Sequence, residues 1–113
     1  MLAVLDAQDA HGTTALMAAA YNGHTSIVKA LLDSKASVDS VDMYGWTPLM
    51  RAAAYGYPEI VQILVTHGAN VNAVNSRGRT ALMFAYEHGY HDVWRILLDN
   101  GANEDGVDSF KAG

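Results

Sequence analysis

The amino-acid sequence predicts an all-α solenoid of three helix-turn-helix units, each followed by an extended arm. An internal repeat with a period of 33 residues indicates a stack of similar small units rather than a single closed core. Each unit holds two short apolar segments with helical spacing, separated by a glycine. The recurring positions are Gly12, Gly45 and Gly78; Thr14, Thr47 and Thr80; Leu16, Leu49 and Leu82; Gly23, Gly56 and Gly89; and Leu31, Leu64 and Leu97.

The repeat period also sets the expected organisation of the chain. Repeats 1, 2 and 3 are predicted to span residues 9–41, 42–74 and 75–107. They are preceded by a partial repeat or cap at residues 1–8 and followed by a C-terminal tail at residues 108–113. The partial unit is either the remainder of a longer array or a cap on repeat 1.

The middle repeat shows why each unit should contain two helices. Thr47 is a suitable N-cap, and Pro48 suits the first helical position. Gly56 is expected to end the first helix in a left-handed conformation, Pro58 opens the second helix, and Gly68 ends it. Both helices are shorter than the ~12–15 residues that an isolated helix needs in water. The units must therefore stack to bury their apolar faces.

The repeated motif resembles the ankyrin repeat. The resemblance rests on Asp-x-x-Gly-x-Thr-Pro-Leu, Ala-Ala, Gly-His, Ile-Val, Leu-Leu and Gly-Ala-x-Val-Asn, and it covers about 99 of the 113 residues. It implies helix pairs with projecting β-hairpin arms, and a groove that binds a protein or peptide.

Two departures from the family pattern carry structural expectations. Met17, Met50 and Met83 stand where the family usually has histidine, and we expect them to pack in the core. Lys35 replaces the glycine found at Gly68, so we expect the second helix of repeat 1 to end less regularly.

Repeat 3 carries large side chains at positions that are mostly small in the other repeats, namely Phe84, Tyr86 and Trp94. This bulk suits a last repeat that has no standard successor. It equally suits a surface for another domain.

The resemblance places a partner-binding groove on the arm tips and the exposed sides of the first helices. Tyrosine, tryptophan and methionine are favoured at binding surfaces, so we expect the aromatic residues of repeat 2 to face solvent and contact the partner. The alternative is that these rings lie against neighbouring arms and stiffen them. Two arginines, Arg77 and Arg79, either pair with a carboxylate or phosphate of the partner or belong to a solvated loop. The predicted contact residues are Tyr21, Met43, Tyr44, Trp46, Tyr55, Arg77, Arg79 and His88.

Composition excludes several classes of function. A net charge of −5 argues against nucleic-acid and anionic-membrane surfaces, and no apolar run approaches the ~20 residues that span a bilayer. The absence of cysteine excludes disulfides and thiolate chemistry and is typical of a reducing compartment. We therefore expect an intracellular protein, with cytoplasm and nucleus left open.

No motif predicts catalysis, a metal or a cofactor. His88 and His91 are separated by a turn at Gly89 and have no third ligand nearby, so we expect two surface histidines. The resemblance also implies one modification site. Asn72, eight residues after Leu64, matches the target of an iron- and 2-oxoglutarate-dependent asparaginyl hydroxylase, or is a plain hairpin residue.

The sequence thus favours a non-catalytic protein–protein interaction module. One alternative is a substrate-targeting or regulatory segment of a larger enzyme or receptor, and another is a structural or engineered repeat scaffold. A monomer is expected, with self-association through exposed repeat ends left open.

Overall fold

The protein is a stack of helix pairs, seen in a computed structural model that describes residues 5–104. The predicted tail at 108–113 and the first four residues of the partial unit lie outside the described range. Within that range no strand is assigned, and no helix has the length and apolarity to cross a membrane. The helices are α1 Ala15–Asn22, α2 Thr25–Asp33, α3 Pro48–Ala54, α4 Pro58–Thr66, α5 Ala81–His88 and α6 His91–Asp99.

The first helix of each repeat begins after a threonine whose hydroxyl oxygen accepts the backbone N–H three residues later. The predicted N-cap role of Thr47 and the first-turn position of Pro48 are both confirmed. The three threonines are Thr14, Thr47 and Thr80, with oxygen–nitrogen distances of 3.2, 3.1 and 3.3 Å.

The turn between the two helices of repeat 2 depends on a glycine, as predicted. Gly56 has a φ of +74°, in the left-handed region where only glycine is free of steric cost. A Cβ atom there would lie 2.8 Å from the ring of Tyr90, which belongs to repeat 3. The turn therefore needs glycine for its own conformation and for the approach of the next repeat.

The helices form two layers around an apolar core. The first helices α1, α3 and α5 pack in sequence, and the second helices α2, α4 and α6 pack in the same order beside them. Small residues such as Ala20 and Ala53, both fully buried, allow this close packing. Met17 and Met50 are 1% exposed, which confirms their expected core positions, whereas Met83 is half-buried.

The arms are tight turns organised by one side chain each. Asp42 is buried, and its Oδ1 accepts the backbone N–H groups of Tyr44 and Trp46 at 2.9 and 3.0 Å. At the equivalent Asp9, the N–H groups of Thr13 and His11 lower the carboxyl pKa by hydrogen bonding. The same local hydrogen bonding at every arm gives the arms a common shape.

Neighbouring arms are joined by single backbone hydrogen bonds rather than by a strand ladder. The N–H of Met43 donates to the His11 carbonyl at 2.9 Å, and the N–H of Ser76 donates to the Tyr44 carbonyl at 3.0 Å. A Cβ at Gly45 would lie 3.0 Å from the Ser76 nitrogen, so glycine permits this approach.

A second set of contacts links each repeat to the following one over 31 residues. A side-chain oxygen near the end of one unit accepts the backbone N–H of a residue near the end of the next unit, two residues before the equivalent position. Gln8 adds hydrogen bonds to the carbonyls of Gly12 and Val41, both at 2.8 Å, so residues 5–8 dock on repeat 1. The acceptor–donor pairs are Asp6–Ser37 at 2.9 Å, Asp39–Asn70 at 3.0 Å and Asn72–Asn103 at 2.7 Å.

The expected irregular helix end at Lys35 is wrong. Lys35 adopts the left-handed conformation itself, with a φ of +75°. The N–H of Ala36 donates to the Leu31 carbonyl at 3.0 Å, as the N–H of Ala69 does to the Leu64 carbonyl at 3.0 Å. The packing of the stacked repeats imposes the same helix end, although a left-handed backbone is sterically unfavourable for lysine.

Candidate functional site

Six of the eight predicted contact residues lie around two clefts on the arm side of the first helices. The repeat 1–2 cleft has a volume of about 320 Å³, and the repeat 2–3 cleft about 310 Å³. Met43 and His88 line neither cleft. The repeat 1–2 cleft is lined by Thr13, Met17, Ala18, Tyr21, Asn22, Arg51 and Tyr55. The repeat 2–3 cleft is lined by Tyr44, Trp46, Asn75, Ser76, Arg77, Arg79 and Phe84.

Two tyrosines form one wall of the repeat 1–2 cleft. The rings of Tyr21 and Tyr55 meet edge to face, with centroids 4.7 Å apart and planes at 82°. Partial burial raises the pKa of Tyr55, and the neighbouring Tyr21 hydroxyl adds to the shift. Both side chains remain more than two-fifths exposed, at 45% and 44%, so they present aromatic surface to a ligand.

The repeat 2–3 cleft has an aromatic floor. The ring centroids of Trp46 and Phe84 are 4.5 Å apart, with planes tilted by 30°. The Arg79 guanidinium carbon lies 4.8 Å from the Phe84 centroid. Rings from repeats 2 and 3 are therefore in direct contact across the junction.

Arg51 connects the two clefts, although the repeat pattern did not predict it as a site residue. Its guanidinium carbon lies 4.2 Å from the Trp46 centroid and 5.9 Å from the Tyr21 centroid. Its Nη2 atom donates to Asp42 Oδ2 at 2.7 Å. The Asp42 side chain is only 3% exposed, so the arginine neutralises a buried carboxylate. One aspartate thus fixes both the arm of repeat 2 and the cation that lies between the aromatic rings.

A sequence signal for Arg51 did exist. Its equivalent positions hold Ala18 and Phe84, so Arg51 is the one charged residue at this position of the repeat. A cation that occurs in a single repeat is not periodic, and a comparison of repeating positions passes over it.

The prediction that the aromatic residues of repeat 2 face solvent is confirmed for Tyr44 and Tyr55 and wrong for Trp46. Tyr44 is 54% exposed, and Met43 beside it is 60% exposed. Trp46 is half-buried because it packs between Phe84 and Arg51. Trp46 packs on side chains of α3 and α5, whereas the stiffening alternative expected the rings to lie against neighbouring arms. Met43 and Tyr44 project from the arm.

The charges in the repeat 2–3 cleft are unequally compensated. Arg79 is ion-paired with Glu87 across the surface of α5. Arg77 is exposed, and within residues 5–104 its guanidinium has no hydrogen-bond or ion-pair partner. Its backbone N–H is held by Asn75 Oδ1 at 2.9 Å, so the arm is ordered although the cation faces solvent.

The histidines considered as ligands lie apart from the clefts. His88 is exposed, its Nδ1 lies 2.9 Å from the Phe84 carbonyl, and its ring stacks on Tyr90. The ring centroids of His91 and Trp94 are 4.2 Å apart. Across residues 5–104 no group of three His, Cys, Asp or Glu side chains is placed to hold a metal ion.

Asn72, the predicted hydroxylation site, lies in a loop and holds the next repeat. Its Oδ1 accepts the Asn103 N–H at 2.7 Å, and its Nδ2 donates to the Gly101 carbonyl at 3.1 Å. The residue is exposed, but both ends of its amide are engaged. Its modification stays a prediction.

Comparison with known families agrees with the architecture. A family model described as ankyrin repeats, in three copies, matches residues 2–75, and a model of the ankyrin repeat matches residues 77–109. No curated protein matches the chain in sequence. Ankyrin repeats are generally protein–protein interaction modules and typically non-catalytic. With helix pairs stacked in order and matches over most of its length, this chain belongs to the ankyrin repeat family.

Proposed function

We propose that the chain is a non-catalytic module that binds a protein or peptide along the groove, meaning the two clefts together with the arm tip at Met43. The observation that carries the proposal is a continuous series of side-chain contacts from Tyr21 through Arg51 and Trp46 to Phe84. Exposed aromatic and methionine side chains border this series. Surfaces of this composition are favoured in protein recognition.

The groove combines an ordered floor with projecting anchors. Trp46 is held by Phe84 and Arg51, so it loses little conformational freedom when a partner binds. Met43 and Tyr44 project from the arm and are the most exposed large apolar side chains in the groove. A partner crossing the groove would bury them, and burial of such side chains drives association.

The test begins with a library of random twelve-residue peptides displayed and selected against the full chain. The dissociation constant of the strongest peptide is then measured for the parent and for the double variant Met43→Ala with Tyr44→Ala. We expect binding at least about tenfold weaker, as for the loss of a hot spot, with an unchanged melting temperature because neither side chain is buried.

Ile27→Ala is the matched control, since Ile27 is a 50% exposed apolar residue on α2, in neither cleft. It should leave the affinity unchanged. A library that yields no binder would overturn the proposal, as would a double variant that binds the strongest peptide as tightly as the parent does. Trp46→Ala is unsuitable as the first test because it also removes packing against repeat 3.

A further inference from the structure

We propose, on the basis of the proposed function, that the repeat 2–3 cleft selects a peptide in which an acidic residue lies close to an apolar one. The carboxylate pairs with Arg77, and the apolar side chain lies on the rings of Trp46 and Tyr44. This goes beyond a general protein-binding groove, because it specifies the chemistry that the partner must offer.

The first support is the inventory of cations in the groove. Arg51 is paired with Asp42, and Arg79 is paired with Glu87. Arg77 alone among the groove arginines has no side-chain partner within residues 5–104. A carboxylate that enters the cleft therefore meets Arg77 without displacing an internal partner, and no existing ion pair has to be broken.

The second support is the residue that organises the arm of repeat 3. Repeats 1 and 2 use Asp9 and Asp42 for this role, whereas repeat 3 uses Asn75. The Asn75 Oδ1 accepts the N–H groups of Arg77 and Arg79 at 2.9 and 3.1 Å, which reproduces the turn. The amide keeps the arm geometry but supplies no negative charge to compensate Arg77 or repel an acidic ligand.

The third support is the apolar lining next to that cation. The half-buried Trp46 ring, packed against the buried ring of Phe84, forms the floor of the cleft, and Tyr44, 54% exposed, borders it. A wholly polar anion would leave this aromatic surface exposed to water, and a cationic peptide would face two arginines in the lining, Arg77 and Arg79. An apolar residue beside a carboxylate matches both parts of the cleft.

The experiment uses the peptides selected above against the full chain. We expect the enriched sequences to carry Asp or Glu within two residues of an aromatic or aliphatic side chain. The strongest peptide is then synthesised with its acidic residue retained, changed to the matching amide, or changed to lysine. The amide version should bind about fivefold more weakly, since an exposed ion pair contributes up to about 1 kcal/mol.

Variants of the protein identify the residues that cause the preference for the acidic peptide over the amide version. Arg77→Ala should weaken binding of the acidic peptide about fivefold and change binding of the amide version by no more than about twofold. The ratio of the two dissociation constants should therefore approach one. Asn75→Asp should reduce the ratio in the same direction and keep the turn, because aspartate accepts the equivalent backbone N–H groups at Asp9 and Asp42. Arg77→Glu should reverse the preference in favour of the lysine peptide.

Arg95→Ala is the control, because Arg95 is an exposed arginine on α6 and lines neither cleft. It should leave the ratio unchanged. Enrichment of peptides without acidic residues would overturn the inference, as would a ratio that survives both Arg77→Ala and Asn75→Asp. In that case the proposed function still stands if the Met43 and Tyr44 double variant weakens binding. If the double variant has no effect on any selected peptide, the proposed function itself is wrong.

Discussion

At the junction between repeats 2 and 3 the ring of Tyr90 covers Gly56, whereas on the outer face of repeat 3 the equivalent Gly89 is open. A Cβ added at Gly89 would meet no atom of residues 5–104 within 4 Å beyond its chain neighbours. The two glycines have the same φ of +74°. The interior glycine therefore meets two requirements, a left-handed turn and close packing, while the outer one meets only the first. Identical residues at equivalent positions need not contribute equally to stability.

At two helical positions the outer face of repeat 3 carries larger side chains than the interior of the stack. Ala53 and Val61 are fully buried in repeat 2. Their equivalents in repeat 3 are Tyr86 and Trp94, half-buried rings that stack on each other at 4.3 Å with planes at 22°. Small residues serve where another repeat approaches, and large rings cover part of the surface where none does within the described residues.

The largest expected difference is at the leucine of the second helix, where repeat 1 differs from repeats 2 and 3, since Leu97 is as fully buried as Leu64. Leu64 is fully buried between repeats, whereas the equivalent Leu31 in repeat 1 is only half-buried. Leu64→Ala should lower the free energy of unfolding by about 2–5 kcal/mol, and Leu31→Ala by less. Urea denaturation of both variants measures this. Equal losses would mean that stacking does not set the contribution of this position.

The turn glycines give the next largest effect. Gly89→Ala should cost about 1–2 kcal/mol, the steric cost of a side chain in the left-handed region. Gly56→Ala should cost more, because its Cβ would also displace the Tyr90 ring from 2.8 Å. Thermal melts of the two variants test the order. If Gly89→Ala proves the more damaging, the ring contact is unimportant.

A smaller effect, of opposite sign, is expected at Lys35. Since Lys35 has a φ of +75°, Lys35→Gly should stabilise the protein by about 1 kcal/mol. Gly68→Lys, the reciprocal change at the equivalent turn of repeat 2, should destabilise it by a similar amount. Gly68 has a φ of +89°, and a Cβ there would meet open space among the described residues, so backbone strain alone sets the cost. Denaturation midpoints of the pair provide the measurement, and a shift in the same direction for both would contradict the argument.

The smallest effect concerns alkaline pH. The pKa of Tyr55 is raised above its ordinary value of 10.0, chiefly by burial, so the folded protein holds this proton more tightly than the unfolded chain. The contribution of neutral Tyr55 to stability is fully present below pH 10 and is lost as the pH rises through the folded-state pKa. Tyr55→Phe should therefore flatten the fall in unfolding free energy above pH 10. Parallel slopes for parent and variant would exclude this role.

Local sequence patterns predicted the repeat architecture well. The N-cap at Thr47 and the left-handed Gly56 depend on neighbouring residues alone, so the sequence contains the information needed to place them. The wrong expectation at Lys35 shows the limit of this reasoning. There the packing of the stack overrides the preference of the residue, and the helix ends as it does in repeat 2.

The candidate site was less predictable than the fold. Six of the eight contact residues predicted from the family resemblance line the two clefts, but the burial of Trp46 and the central position of Arg51 depend on side chains from different repeats. Neither interaction repeats with the 33-residue period, since Arg51 is replaced by alanine and phenylalanine at the equivalent positions. Contacts that occur once in a repetitive chain are those that a periodic pattern cannot reveal.

The side-chain hydrogen bonds that span 31 residues have a consequence for how such a gene can change in length. Each unit supplies an acceptor to the unit after it and a donor to the unit before it, as at Asp39–Asn70 and Asn72–Asn103. Duplication or deletion of one 33-residue block therefore joins compatible partners at the new boundary. An insertion of any other length inside a unit would separate them. Recombination in whole blocks is thus the route by which an array of this kind can grow or shorten and still fold.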